Sequence, residues 1–210
     1  MAQARSLVGN GFTTFAGRSI AVPAAPGFRS IQEIAADLEI THALSTQLCL
    51  SEWAQRVVPD PQHDRWCYRV GERLIMPTEG VQALVDVETV DPTDIDYLNV
   101  RVGPATADAT EDPRLFQGVH ASLSEGELYD AVTRWWPVTN EAEWIGKLFV
   151  ASIAGFVVLT GRITGAEKSR TTQRVAFEVD TDDAEAREHF AGKRIPVFRG
   201  GATLMRRARA

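Results

Sequence analysis

Residues 30–48 read "SIQEIAADLEITHALSTQL". Ser30 is a strong N-cap. Glu33, three residues on, completes a capping box, in which each of the two residues satisfies an amide that the first turn leaves unpaired. Ile31, Ile34, Ala35 and Leu38 then recur at helical spacing. Glu39-Ile40-Thr41 interrupts the period. Thr41 can cap a second helix, with Leu44 and Leu48 one turn apart on its inner face. The prediction is helix, tight turn, helix.

Downstream, "VVPDPQHDRW" (57–66) is a loop by its prolines and turn formers. "WCYRVGERLIMP" (66–77) is rich in strand formers around Gly71 and predicts a two-stranded hairpin. Thr78 is then read as the cap of a short helix with Val81, Leu84 and Val85 on its inner face.

Together, "SIQEIAADLEITHALSTQL" and "YRVGERLIMPTEGVQALV" (68–85) resemble a winged helix-turn-helix of the MerR and excisionase kind. The resemblance covers residues 30–86. It rests most on the wing half: Arg69-Val70-Gly71, the return strand Leu74-Ile75-Met76, Pro77 and the closing helix. It implies that the second helix enters the major groove of double-stranded DNA and that the wing meets phosphate or the minor groove. The DNA-facing set is then Thr41 at the cap, His42, Ser45, Thr46 and Gln47 on the outward face, and Arg65, Arg69 and Arg73 from the wing. Gln pairs bidentately with adenine, and Ser or Thr can take a base edge or a phosphate. Three departures stand out. Glu39 occupies the tight turn where the family has Gly. Ser45 sits where a buried β-branched residue is usual, which points to a second helix rotated or shifted by one residue. The segment before the wing is long.

The remainder divides by composition. Residues 1–28, rich in Gly, Ala, Ser and Pro, form an N-terminal arm, flexible or adding a strand to another element. The winged unit spans 29–88, and a polar linker with a strand near 94–102 spans 89–121. Residues 122–200 form a small α+β domain. Ser124 and Glu127 outline another capping box, Leu128, Ala131, Val132 and Trp135 follow at helical spacing, and strands are expected around Ala154-Gly155, at 173–180 and at 193–198. Residues 201–210 form a basic tail. The fold class is therefore α+β: a winged helix-turn-helix followed by an α+β domain with an antiparallel sheet. Trp135, Trp136 and Trp144 cluster around a proline and make a candidate ligand or base-stacking pocket.

The chain has 210 residues and a formal charge of −6, and residues 1–90 and 91–210 share that charge equally. No Lys or Arg lies between Arg29 and Arg56. Tight sequence-independent DNA binding, which draws on neutralised phosphates, is disfavoured. The two cysteines, Cys49 and Cys67, read as buried reduced thiols, and no secretory leader or membrane-length apolar run is seen. These features predict a cytoplasmic protein without a membrane partner. The four histidines lack metal-ligand spacing, and no phosphate-binding glycine loop or nucleophile elbow occurs. No catalytic residue, metal or cofactor is expected. The function expected is DNA-binding regulation, with the C-terminal unit supplying dimerisation or effector sensing in a homo-oligomer. Two rivals remain: an assembly or adaptor protein that docks a partner through the winged unit, and a nucleic-acid-processing enzyme with its site in the C-terminal unit.

Overall fold

A computed structural model of the chain describes residues 27–61, 65–108, 114–197, 203–206 and 208. The first unit runs β1 (Phe28–Ser30), α1 (Ile31–Asp37), α2 (His42–Leu50), α3 (Ala54–Val57), β2 (Tyr68–Val70), β3 (Arg73–Pro77) and α4 (Thr78–Val85). Most of the N-terminal arm, 1–26, and residues 62–64 of the loop lie outside the described residues. The Ser30–Glu33 capping box forms, and the Ser30 amide donates to the Glu33 carboxylate at 2.8 Å. Those bonds hold the Glu33 carboxyl below the usual carboxylate range. Glu39 makes the turn in the left-handed region at φ +54°, the conformation glycine would adopt more cheaply. Thr41 caps α2 by accepting from the Leu44 amide. The hairpin turns at Gly71, at φ +62°, and β1 adds to its outer strand, giving the order β1-β3-β2. One expectation changes. Pro77, not Thr78, is the N-cap of α4, and no side chain caps it.

The rest is built on a five-stranded sheet in the order β10-β4-β7-β8-β9, comprising β4 (Tyr97–Arg101), β7 (Leu148–Ile153), β8 (Phe156–Lys168), β9 (Val175–Asp180) and β10 (Thr203–Arg206). The sheet is mixed, because β4 runs parallel to β7 while the other neighbours are antiparallel. A parallel pair needs a long crossover. Here it is residues 102–147, carrying the two-stranded ladder β5 (Thr106–Ala107) and β6 (Phe116–Gln117), α5 (Glu125–Thr133) and a single 3₁₀ turn at 141–144. The strand expected near 94–102 within the polar linker forms as β4 and is buried inside the sheet. Residues 203–206 of the expected basic tail form a strand, and the described part of the strand expected at 193–198, residues 193–197, holds only isolated bridges through Arg194. The second capping box forms at Ser124 and Glu127 as expected. Helix α6 (Ala184–Phe190) packs on β7 and β8, where Phe190 meets Tyr97 with ring centroids 5.0 Å apart.

The two units share one hydrophobic core. Ile34, Leu48, Trp53 and Met76 of the first belong to the same buried cluster as Val100, Val119, Phe149 and Phe177 of the second. Polar pins cross the same boundary. Arg56 donates three bonds to the carbonyls of Ala121 and Leu123, at 2.8 to 3.2 Å. The Ala121 amide donates to the Ser51 carbonyl at 2.9 Å. Arg194 lies over the Phe156 ring and donates to the Leu38 carbonyl, which closes α1 beside the Glu39 turn. Burial lowers the Arg194 pKa, and Glu39 works against that shift. Cys49 and Cys67 are both buried and free, and the Cys67 thiol is pushed up in pKa first by its hydrogen bond with Cys49 and then by burial.

Candidate nucleic-acid interface and an arginine–tryptophan cavity

The second helix exposes its N-terminal end. Thr41, His42 and Ala43 face solvent, and Thr46 is half-buried with its hydroxyl donating to the His42 carbonyl at 2.9 Å. Ser45 is not on the outward face. It is 0% exposed, and its hydroxyl reaches the carbonyls of Ile31 at 3.0 Å and His42 at 2.9 Å. A small hydroxyl-bearing residue thus takes a buried position on α2 and satisfies itself on α1. Gln47 is half-buried. With Leu44 it lines a cleft of about 320 Å³ between α2 and the large sheet, opposite Asn99 and Ser152. Those two are buried and joined by a 3.1 Å bond from the Ser152 hydroxyl.

The hairpin carries the cations. Arg69 and Arg73 are exposed and make no ion pair among the described residues. Arg65 is exposed but lies 3.8 Å from Glu52. The basic residues near the C-terminus are engaged where they are described. Lys193 bonds the Glu188 carbonyl at 2.9 Å and lies 3.6 Å from Glu88, while Arg194 is held as above.

The tryptophans separate into two roles. Trp144 is core, 2% exposed. Trp135 and Trp136, which follow the C-terminus of α5, are half-buried and line a cavity of about 270 Å³. Trp136 is fixed by its indole, which donates to the Val132 carbonyl at 2.8 Å, and by a two-bond backbone bridge to Val175. Around them the cavity gathers Arg101, Arg114, Arg134 and Arg174, with no carboxylate among the described residues that line it. Arg114 is 6% exposed and is held by Asp108, by the Arg134 carbonyl and by Gln117. Arg134 pairs with Asp130 at 3.2 Å, while Arg174 is exposed and makes no ion pair among the described residues. Gly118 closes the wall at φ +91°. A Cβ there would lie 2.6 Å from the carbonyl oxygens of Gly103 and Pro104, so the close approach of these two segments requires glycine. This cavity adjoins the α2 cleft, since Arg101, Val102 and Gly103 line both.

The arginines of the cavity were not among the sequence-derived candidates. The one local signal was Arg134 beside Trp135 in "TRWW". The others arrive from β4, from the residues before β6 and from the turn before β9. Among the described residues no group of three His, Cys, Asp or Glu side chains could hold a metal ion, and no helix is long and apolar enough to cross a membrane. No family model, curated protein or solved structure matches this chain.

Proposed function

We propose that the chain is a regulator that binds double-stranded DNA through residues 28–85, a winged helix-turn-helix in form. The observation that carries this is the arrangement itself: helix, left-handed turn at Glu39, capped second helix, and a hairpin bearing Arg69 and Arg73, exposed and without an ion pair among the described residues. Readout from α2 would fall to Thr41, His42 and Thr46, because Ser45 is buried and Gln47 faces the cleft. Hydrogen bonds from so few neutral side chains supply selectivity but little affinity, so the hairpin arginines must supply the phosphate contacts. One such reader covers a half-site, which fits a homo-oligomer.

One observation favours the adaptor reading. Val70, at the tip of the hairpin, is 60% exposed, and Ala43 of α2 is exposed beside a cation-free stretch. Those are features of a surface that docks protein. Fluorescence anisotropy with a mixed-sequence duplex at low salt separates the two. Binding that weakens on Arg69→Ala and on Arg73→Ala supports the regulator. Absence of binding at low salt contradicts it and supports docking.

A further inference from the structure

We infer that the cavity walled by Trp135 and Trp136 is a binding site for a nucleoside monophosphate unit, free or carried in a DNA strand. The inference uses no residue of 28–85 and stands apart from the proposal for that unit. Three features lead to it. First, two indole side chains line one small cavity, and one of them is locked in place by its hydrogen bond to Val132. A planar ring is the ligand that gains most from such walls, by about 1–3 kcal/mol per stacked base. Second, four arginines line the same cavity, with no carboxylate among the described residues that line it. Two of them, Arg114 and Arg134, are tied to Asp108 and Asp130, which orients them, while Arg174 stands ready at the rim. Guanidinium forks match phosphate oxygens bidentately. Third, the space is about 270 Å³, at the small end of ligand clefts, which suits one nucleotide and excludes dinucleotide cofactors.

Arg114 is buried and its guanidinium nitrogens already bond Asp108, the Arg134 carbonyl and Gln117, so it holds the wall together and its loss would disturb the fold. The wall chemistry is that of an anion attached to an aromatic ring, and inorganic phosphate or an uncharged nucleoside alone satisfies only half of it.

The test is isothermal titration calorimetry on the full chain carrying Arg69→Ala and Arg73→Ala, which removes the hairpin cations. The probes are the 5′-monophosphates of the common nucleosides, the matching nucleosides, inorganic phosphate and a short single-stranded oligonucleotide. At least one monophosphate, or the oligonucleotide, should bind at least tenfold more tightly than the nucleoside and than phosphate. Preference for the free monophosphate marks an effector, and preference for the oligonucleotide marks a base held within a strand. Trp135→Ala should weaken both monophosphate and nucleoside by about tenfold or more. Arg174→Gln, at an exposed position, should weaken the monophosphate by about tenfold and leave the nucleoside unchanged. Equal, weak or absent binding of every probe, or binding unaffected by both substitutions, overturns the assignment.

Discussion

Arg69 and Arg73 stand on a two-stranded hairpin, exposed and without an ion pair among the described residues. Arg114 is 6% exposed and bonded to Asp108, Gln117 and the Arg134 carbonyl, with two tryptophans lining the same cavity. The first pair can move and is screened by salt, so it suits a backbone of repeating charge. The second group is preorganised and partly desolvated, so it suits one ligand of defined shape. Within one acidic chain, then, cations are kept out of the α2 face and placed at two sites of opposite character. Under the proposed DNA role, a neutral α2 is accommodated because phosphate affinity would come from the hairpin and readout from α2.

The two sites can be compared as parts of one body only because they share a core, and the largest expected effect tests that. Phe149→Ala removes a fully buried ring from β7 and should cost about 3–5 kcal/mol. Chemical unfolding followed by tryptophan fluorescence and by far-ultraviolet circular dichroism should shift together in a single transition. Two separated transitions, with residues 28–85 surviving, would show that hairpin and cavity are independent. Arg56→Ala cuts the polar pin between α3 and the segment that leads into α5. It should cost about 1.5–3 kcal/mol in the same unfolding assay, toward the low end because the side chain is partly exposed. Ser45→Ala should lower stability by about 1 kcal/mol and leave duplex affinity unchanged, since that hydroxyl faces α1. A loss of DNA affinity without loss of stability would place Ser45 back on the reading face.

The smallest effect concerns pH. Glu33 and Glu127 are held low by their capping serines, and Asp183 by Arg162. Lowered carboxyl pKa values stabilise the fold above the ordinary carboxylate range, and that stability is lost as pH falls through the lowered values. All three are half-buried at the surface, so solvent screening keeps the contribution modest. Ser30→Ala should cost about 1 kcal/mol near neutrality and should flatten the acid limb of the stability profile, measured as unfolding midpoint against pH. An acid limb of unchanged steepness would remove Glu33 from that account.

What could be read from the sequence follows the range of the interaction. The two capping boxes, the Thr41 cap, the Glu39 turn and the Gly71 hairpin are each settled within about four residues, and each was legible. Ser45 was not, because its burial depends on the Ile31 carbonyl 14 residues away. The strand near 94–102 was legible from its alternation, but its central place in the sheet was not, because its partners lie at 148–152 and 203–206. The cavity was half legible. Adjacent tryptophans marked it, but its arginines come from four separate stretches of chain. Arg114 reaches the Arg134 carbonyl across 20 residues, a closure that no local pattern encodes. Trp144 illustrates the converse: its place in the cluster came from sequence proximity alone, and packing took it into the core.

The division of roles between hairpin and cavity is tested most directly by the salt dependence of duplex binding. The affinity of the wild type, of Arg69→Ala/Arg73→Ala and of Arg174→Gln for one duplex should be measured across a range of salt concentrations. Each phosphate contact contributes about 0.9 to the slope of log affinity against log salt. The hairpin double variant should lose about 2 units of slope, and Arg174→Gln should keep the wild-type slope. A wild type that fails to bind at low salt, or a slope that falls with Arg174→Gln and not with the hairpin variant, would contradict the assignment of DNA phosphates to the hairpin.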